Sequence, residues 1–187
     1  MPATTRRARA CALALAGLGL TATTMSALPA SAATGGNTSD TTSTTTTTTT
    51  TTQKTARTSA KRRVASRVLS ARDTAMRQRG DAYAYGGAGP DRFDCSGLIR
   101  YSYGRAGFAV PRTSSAQAGH ARRIAKSDMR SGDLMFFYGS GGVYHAAIFL
   151  RWSRGHAVMV HSPGSGQRVR VAVPWTSQWF AGTLRRA

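Results

Sequence analysis

The sequence predicts an α+β fold, in which helices come first along the chain and an antiparallel β-sheet follows. Two observations support this prediction. Apolar residues recur at helical spacing between residues 62 and 106, whereas from residue 134 onward they form short runs that are typical of strands. The predicted folded part, residues 61–187, is long enough to bury one compact core.

The first predicted helix starts near Arg62 and stops at Gly80. Its apolar positions repeat at intervals of three and four residues. They are Val64, Val68, Leu69, Ala71, Ala75 and Met76. Nine basic residues lie between Lys54 and Arg79, so the helix has a basic face that either contacts an anionic polymer or is simply solvated.

A glycine-rich turn at 86–90 leads into a second predicted helix, which starts near Cys95 and stops at Gly107. Strands are predicted after it. They cover 134–138, 145–150, 157–161 and 168–173. A hairpin centred on Ser153 would place His145 opposite His161 in the middle pair.

The N-terminus has the three parts of a secretory signal: arginines, an apolar run from Ala10 to about Leu20, and small residues before Ala33. The run is shorter than the about 20 residues that cross a membrane. Residues 1–32 are therefore predicted to be a signal peptide, with Sec and twin-arginine export both left open. Residues 33–60, which contain an unbroken threonine run, are predicted to be a disordered linker.

The chain has 26 Lys and Arg residues against 7 acidic ones, a net charge of +19. So large an excess predicts contact with an anionic polymer. Export argues against nucleic acid as the partner and leaves anionic cell-wall polymers or the outer membrane leaflet. Insertion in a membrane is not expected, because no run is long enough to span one. We expect a monomer that is secreted and associated with the cell wall.

There are two cysteines, Cys11 and Cys95, and the first lies in the predicted signal. This count excludes a multi-bridge disulfide scaffold and a cysteine-built zinc site. Cys95 is thus a lone thiol, either buried and inert or reactive. A helix start lowers a thiol pKa, whereas the carboxylate of Asp94 would oppose that effect if it faced the sulfur. The histidine pair of the hairpin would supply a base, and His120 and His156 are expected at the surface.

Several motifs in this order resemble the NlpC/P60 family, papain-like cysteine peptidases of bacterial peptidoglycan. They are AYAYGGAGPDRFDCSGL at 82–98, PRTSSAQ at 111–117, GDL at 132–134 and HAAIFL at 145–150. The resemblance implies a papain-like fold in which the nucleophile starts a helix packed on the sheet. It also implies that Cys95 is the nucleophile, that His145 is the general base and that His161 orients His145.

The same resemblance places four further residues near the substrate. Tyr83 would contact substrate or the oxyanion, or be a core tyrosine; Asp94 and Ser96 would line a subsite, although Asp94 is also a natural helix cap. Arg112 would meet a substrate carboxylate or order a loop. No metal and no cofactor are expected.

The function implied is a secreted endopeptidase that hydrolyses amide bonds in peptidoglycan stem peptides, between D-γ-glutamate and the diamino acid. Two alternatives remain at this point. One is a non-catalytic, basic protein that binds the cell wall. The other is an amidase or acyltransferase on the same fold.

Overall fold

The computed structural model describes residues 45–185, with side chains from residue 53 onward. Its helices are α1 (Thr45–Arg77), α2 (Cys95–Arg105) and α3 (Ser114–His120), with a 3₁₀ turn at Lys126–Asp128. Its strands are β1 (Ala82–Tyr83), β2 (Arg92–Phe93), β3 (Arg122–Ile124), β4 (Leu134–Gly139), β5 (Gly142–Ser153), β6 (His156–His161), β7 (Arg170–Ala172) and β8 (Trp179–Thr183). The predicted signal peptide and residues 33–44 of the predicted linker lie outside the described residues.

Helix α1 is longer than the sequence predicts, because it begins at Thr45, inside the stretch whose composition favours a disordered linker. The side chains of residues 53–59 are all exposed, so this part of the helix is held by its own backbone hydrogen bonds and not by core packing. Farther along, Val68, Ala71 and Ala75 are fully buried, as their spacing predicts, whereas Leu69 is exposed.

Six strands form one antiparallel sheet in the order β3-β8-β4-β5-β6-β7, and β1 and β2 form a small parallel pair. The predicted α+β class is confirmed. Strands β3 and β8 of this sheet, like the short β1 and β2, are not predicted by the sequence pattern, and a glycine within β8 obscures its strand pattern. Gly182 is needed there, since a Cβ at this position would lie 2.9 Å from the ring of Phe136.

Both faces of the sheet are buried, which is why successive residues of the central strands are apolar. One face packs against α1 and α2 through Leu134, Phe136 and Ile148. The other face carries Met135, Phe137, Ala147, Phe149 and Met159. The predicted shared face of Val169, Val171 and Val173 is only partly a core face, because Val169 is buried and the other two are exposed.

The hairpin between β5 and β6 differs in register from the prediction. Its turn is Arg154-Gly155, both with positive φ, so Ser153 pairs with His156. A bulge between Phe149 and Arg151 then shifts the pairing, and Ile148 lies opposite Val160. One residue farther from the turn on each strand, Ala147 lies opposite His161. The predicted direct pairing of His145 with His161 is therefore wrong. His145 is instead the diagonal neighbour of His161 on the same face.

The N-terminus of α2 lies unusually close to the glycine-rich turn. A Cβ on Gly97 would lie 1.9 Å from the carbonyl oxygen of Gly87. That carbonyl accepts a hydrogen bond from the backbone N–H of Asp94 (2.9 Å). Because Gly97 has no side chain, the glycine-rich turn can pack directly against the first residues of α2.

Gly97→Ala should therefore destabilise the fold by at least about 2 kcal/mol, because backbone must move to accept the methyl group. Gly104, in the same helix, is the matched control: a Cβ there meets nothing within 4 Å, and Gly104→Ala should stabilise by about 0.5 kcal/mol. Urea unfolding followed by circular dichroism measures both. Equal effects of the two substitutions would contradict the close approach.

Candidate active site

Two buried histidines form the centre of the candidate site. Nε2 of His145 on β5 lies 2.9 Å from Nδ1 of His161 on β6, and the two rings are nearly perpendicular. His145 is 5% exposed and His161 is 1% exposed. Burial, together with the neighbouring His161, lowers the pKa of His145 to about 3. Burial, with Arg170, lowers the pKa of His161 to about 4. Both rings are therefore neutral at physiological pH.

The bond between the rings couples their tautomers, because one nitrogen must donate and the other accept. For His145 to take a proton at Nδ1, its Nε2 must carry a hydrogen and donate it to Nδ1 of His161. His161 then carries its own hydrogen on Nε2. That atom is buried and makes no hydrogen bond within the described part of the chain.

Cys95 is the first residue of α2, and the backbone N–H of Ala146, the residue after His145, lies near enough to its sulfur to lower the thiol pKa. The thiol is thus next to the histidine strand. Burial raises its pKa; hydrogen bonds from the Ala146 and Ser96 amides oppose this, and the charge of Asp94 adds to it. The net effect is a raised pKa, which answers the question that the sequence left open. In the resting protein the thiol is neutral.

Asp94 caps α2, and its carboxylate accepts hydrogen bonds from four groups: the Gly86 and Gly97 amides, the Ser96 hydroxyl and the Arg112 guanidinium. Its Oδ1 accepts from the Gly97 amide (2.7 Å), and both its oxygens accept from the Arg112 guanidinium (3.0 and 2.5 Å). Burial raises the pKa of this carboxyl, but the bonds from Arg112 and Gly97 outweigh it and hold the pKa below its ordinary value. The hydroxyl of Ser96 donates to Asp94 and accepts from Arg112 (3.0 Å). The structure therefore joins Asp94, Ser96 and Arg112 in one network beside Cys95.

Tyr83 lies on β1, opposite Phe93 of β2 and so close to the start of α2. Burial raises the pKa of its hydroxyl, and the neighbouring Cys95 and Asp94 raise it further. Tyr83 is therefore near enough to Cys95 and Asp94 for their charges to affect its pKa. His120 and His156 are exposed, as expected.

Two residues of the site were not found from the sequence. Gln117 is 1% exposed and its amide donates to the backbone carbonyl oxygens of Ser96 (2.8 Å) and Pro111 (2.9 Å), which ties α3 to α2. Trp175 contacts both histidine rings. Gln117 is the last residue of the PRTSSAQ motif, so the sequence could have identified it as a site residue. Trp175 lies between two strands, and no sequence pattern surrounds it.

The family model of NlpC/P60 matches residues 80–186, more than half of the chain. The chain belongs to the NlpC/P60 family. It is 43% identical over 103 residues to a probable endopeptidase of Mycobacterium bovis, a match that spans 55% of this chain and 25% of that protein. It is 39% identical over 92 residues to the probable endopeptidase p60 of Listeria monocytogenes, spanning 49% of this chain and 18% of that one. The chain thus matches less than half of the length of these relatives.

Solved structures give the same result for the fold. The NlpC/p60 domain of the peptidoglycan hydrolase SagA is 31% identical, with a TM-score of 0.56, covering 63% of this chain and 98% of that one. RipD of Mycobacterium tuberculosis, described as a non-catalytic NlpC/p60 domain protein adapted to peptidoglycan binding, is 26% identical, with a TM-score of 0.53 and coverage of 63% and 97%. Family membership therefore includes both hydrolases and a binding protein.

The geometry of the histidine pair predicts which substitutions of His161 are tolerated. His161→Asn should keep activity within about tenfold of the unsubstituted protein, because its amide oxygen can occupy the position of Nδ1, whereas His161→Ala should lose on the order of 100-fold. His161→Gln places its oxygen one bond farther away and should fall between them. The measurement is the initial rate of cleavage of soluble peptidoglycan fragments, the substrate class that is proposed in the next subsection.

The other histidines provide the controls for that series. His145→Asn should be as inactive as His145→Ala, because an amide cannot exchange a proton, and His156→Ala should match the unsubstituted protein. Loss of activity in His156→Ala with retention in His161→Ala would contradict the assignment.

The raised pKa of Cys95 predicts that its alkylation depends steeply on pH. The iodoacetamide rate should rise about tenfold per pH unit between pH 6 and 8, because only the thiolate reacts. Mass spectrometry of the peptide that contains Cys95 separates its modification from that of Cys11. A rate that does not change between pH 5 and 8 would indicate a thiolate–imidazolium pair and contradict the neutral resting state.

Proposed function

We propose that this protein is a secreted peptidoglycan endopeptidase that hydrolyses amide bonds in stem peptides. The observation that carries the proposal is the hydrogen bond between His145 on β5 and His161 on β6. The thiol of Cys95 lies near β5, because the amide of Ala146 on that strand lowers its pKa. A nucleophile, a base and a group that orients the base are the set that acyl transfer requires. The family resemblance further implies cleavage between D-γ-glutamate and the diamino acid.

The proposed reaction starts when His145 takes the thiol proton of Cys95 at Nδ1. The thiolate attacks the substrate carbonyl carbon, and backbone N–H groups at the start of α2 stabilise the oxyanion. The imidazolium of His145 then protonates the leaving amine as the C–N bond breaks. Water, deprotonated by His145, hydrolyses the thioester and restores the thiol.

The network around Asp94 supports this reaction by controlling charge next to the sulfur. An unpaired carboxylate would oppose formation of the thiolate and of the oxyanion. Arg112 binds both oxygens of Asp94, so the pair presents little net charge. We propose that Arg112 orders the loop in this way while Ser96 and Tyr83 border the substrate.

A second candidate function is binding to the cell wall without catalysis. The observation in its favour is the basic surface of α1, where Lys54, Arg57, Lys61 and Arg62 are exposed and make no ion pair within the described residues. Wall binding and hydrolysis are compatible, since the first would bring the second to its substrate. We therefore propose that α1 contacts anionic wall polymers in the active enzyme.

Export is proposed from the N-terminal signal pattern, which lies outside the described residues. Within the described part of the chain, no helix is both long and apolar enough to cross a membrane. The same part contains no group of three or more His, Cys or acidic residues that could hold a metal ion. The proposed enzyme acts as a monomer in the cell wall and uses the side chains named above.

Purified peptidoglycan should release fragments cut within the stem peptide when incubated with the protein, and Cys95→Ala should abolish the release while keeping the circular dichroism spectrum. Mass spectrometry of the fragments identifies the bond. Fragments cut between sugar and peptide would indicate an amidase, and joined fragments an acyltransferase. Undiminished release by folded Cys95→Ala would refute the cysteine mechanism.

The basic surface of α1 predicts salt-dependent binding to whole cell walls. Replacing four of its cations by glutamine should weaken sedimentation with walls at low salt, and the difference should shrink at physiological ionic strength, where exposed charges are screened beyond about 8 Å. The replaced residues are Lys54, Arg57, Lys61 and Arg62.

A control with the same change in net charge replaces four exposed arginines outside α1 by glutamine. These are Arg100, Arg122, Arg130 and Arg151. The control should bind walls more strongly than the α1 variant. Equal binding of the two variants would show that only net charge affects binding and that α1 is not a specific contact site for the wall.

A further inference from the structure

We propose that Trp175 is a positioning residue that covers the imidazole pair of His145 and His161, keeps water from it and holds the two rings in hydrogen-bonded register. Trp175 lies in the connection between β7 and β8. Its indole ring contacts both imidazoles, with centroid distances of 5.2 Å to His145 and 5.8 Å to His161. The inference rests on the proposed function only for its effect on catalysis.

The indole ring is anchored by the sheet. It stacks on Phe137 with a centroid distance of 4.5 Å and an angle of 9° between the ring planes. Phe137 is fully buried on β4, and in the sheet it lies directly opposite His145 on β5. Offset stacking of this kind favours one orientation of the ring. Trp175 is therefore fixed by the same strand pair that positions His145.

Trp175 lies between the histidine pair and solvent. Trp175 is 55% exposed, whereas both histidines are almost completely buried. Its ring is close to parallel with that of His161 (25°) and meets the ring of His145 edge-on (64°). Removing the indole would open the pair to water from the side on which Trp175 now lies.

Water at this position would have two consequences. It would stabilise a protonated imidazole, because burial is the main reason that the pKa values of both histidines are low. The other titratable or charged groups facing the pair are Arg170, across from His161 on β7, and Cys95 beside β5, with Tyr83 next to it. None of these is a carboxylate, and Cys95, whose thiolate could pair with an imidazolium, is replaced by alanine in the NMR test below.

Water would also compete with His161 for the Nε2 hydrogen of His145. Loss of that bond frees the His145 ring to turn, so that Nδ1 is no longer held in one position for the proposed proton transfer from Cys95. For the proposed endopeptidase, Trp175 should therefore affect kcat more than KM. A residue that contacts substrate through its exposed face would instead affect KM.

The test uses the full chain with Cys95→Ala, which cannot turn over, and follows the imidazole signals of His145 and His161 by NMR as the pH is lowered. In the Cys95→Ala protein, which is the parent for this series, both imidazoles should stay neutral as the pH is lowered to about 5. Adding Trp175→Ala should raise the pH at the midpoint of protonation by at least about one unit, since burial can shift the pKa of a buried group by more than that. Adding Trp175→Phe should stay close to the parent, because a phenyl ring can still stack on Phe137.

Trp152→Ala is the matched control. Trp152 is another partly exposed tryptophan, 43% exposed, and it contacts Phe149 and Trp179 rather than the histidines. It should leave the protonation midpoint unchanged. The inference is overturned if folded Trp175→Ala titrates like the parent, or if Trp152→Ala shifts the midpoint equally.

Kinetics with Cys95 restored provide the second readout. Trp175→Ala should lower kcat at least about tenfold with KM changed less than about twofold, and Trp175→Phe should recover most of the rate. A raised KM with unchanged kcat would make Trp175 a substrate contact and overturn the positioning role. A further outcome is that the unsubstituted protein cleaves no peptidoglycan while Trp175→Ala still shifts the protonation midpoint of the histidines. That result would contradict the proposed function but support the role of Trp175 in shielding the histidine pair from water.

Discussion

The rest of the site depends on the hydrogen bond between His145 and His161. It needs two adjacent strands that present side chains from diagonal positions on one face, and the bulge in β5 provides that register. It also needs burial, because water in contact with the two rings would form hydrogen bonds with their nitrogens in place of the bond between them. Phe137 and Trp175 surround the rings with aromatic carbon, and the low pKa values of both histidines follow from this burial.

A second constraint acts at the start of α2. The helix must begin at Cys95 and still approach the glycine-rich turn, which requires glycine at position 97. It must also carry a capping carboxylate next to a residue that is to become an anion. The bidentate bond from Arg112 reduces this conflict, because it places a positive charge against the carboxylate that caps the helix. The neutral thiol and the neutral imidazole are therefore the resting state that the fold stabilises.

The sequence predicted the parts of this account that depend on residue type and order. The helix start at Cys95, the burial of Val68 and Ala71, and the family itself follow from short-range patterns and motifs. The register of β5 and β6 could not be predicted, because the bulge depends on contacts with both flanking strands. Trp175 was missed for a similar reason: its place beside the histidines is set by the packing of β7 and β8, and β8 itself has a weak pattern owing to Gly182.

The most direct test of the central claim is ¹⁵N NMR of the imidazole nitrogens at neutral pH, in the full chain with uniformly labelled histidine. Scalar coupling across a hydrogen bond identifies donor and acceptor without reference to activity. The account predicts that Nε2 of His145 carries a hydrogen and is coupled to an unprotonated Nδ1 of His161. A hydrogen on Nδ1 of His145, or no coupling between the two rings, would contradict it.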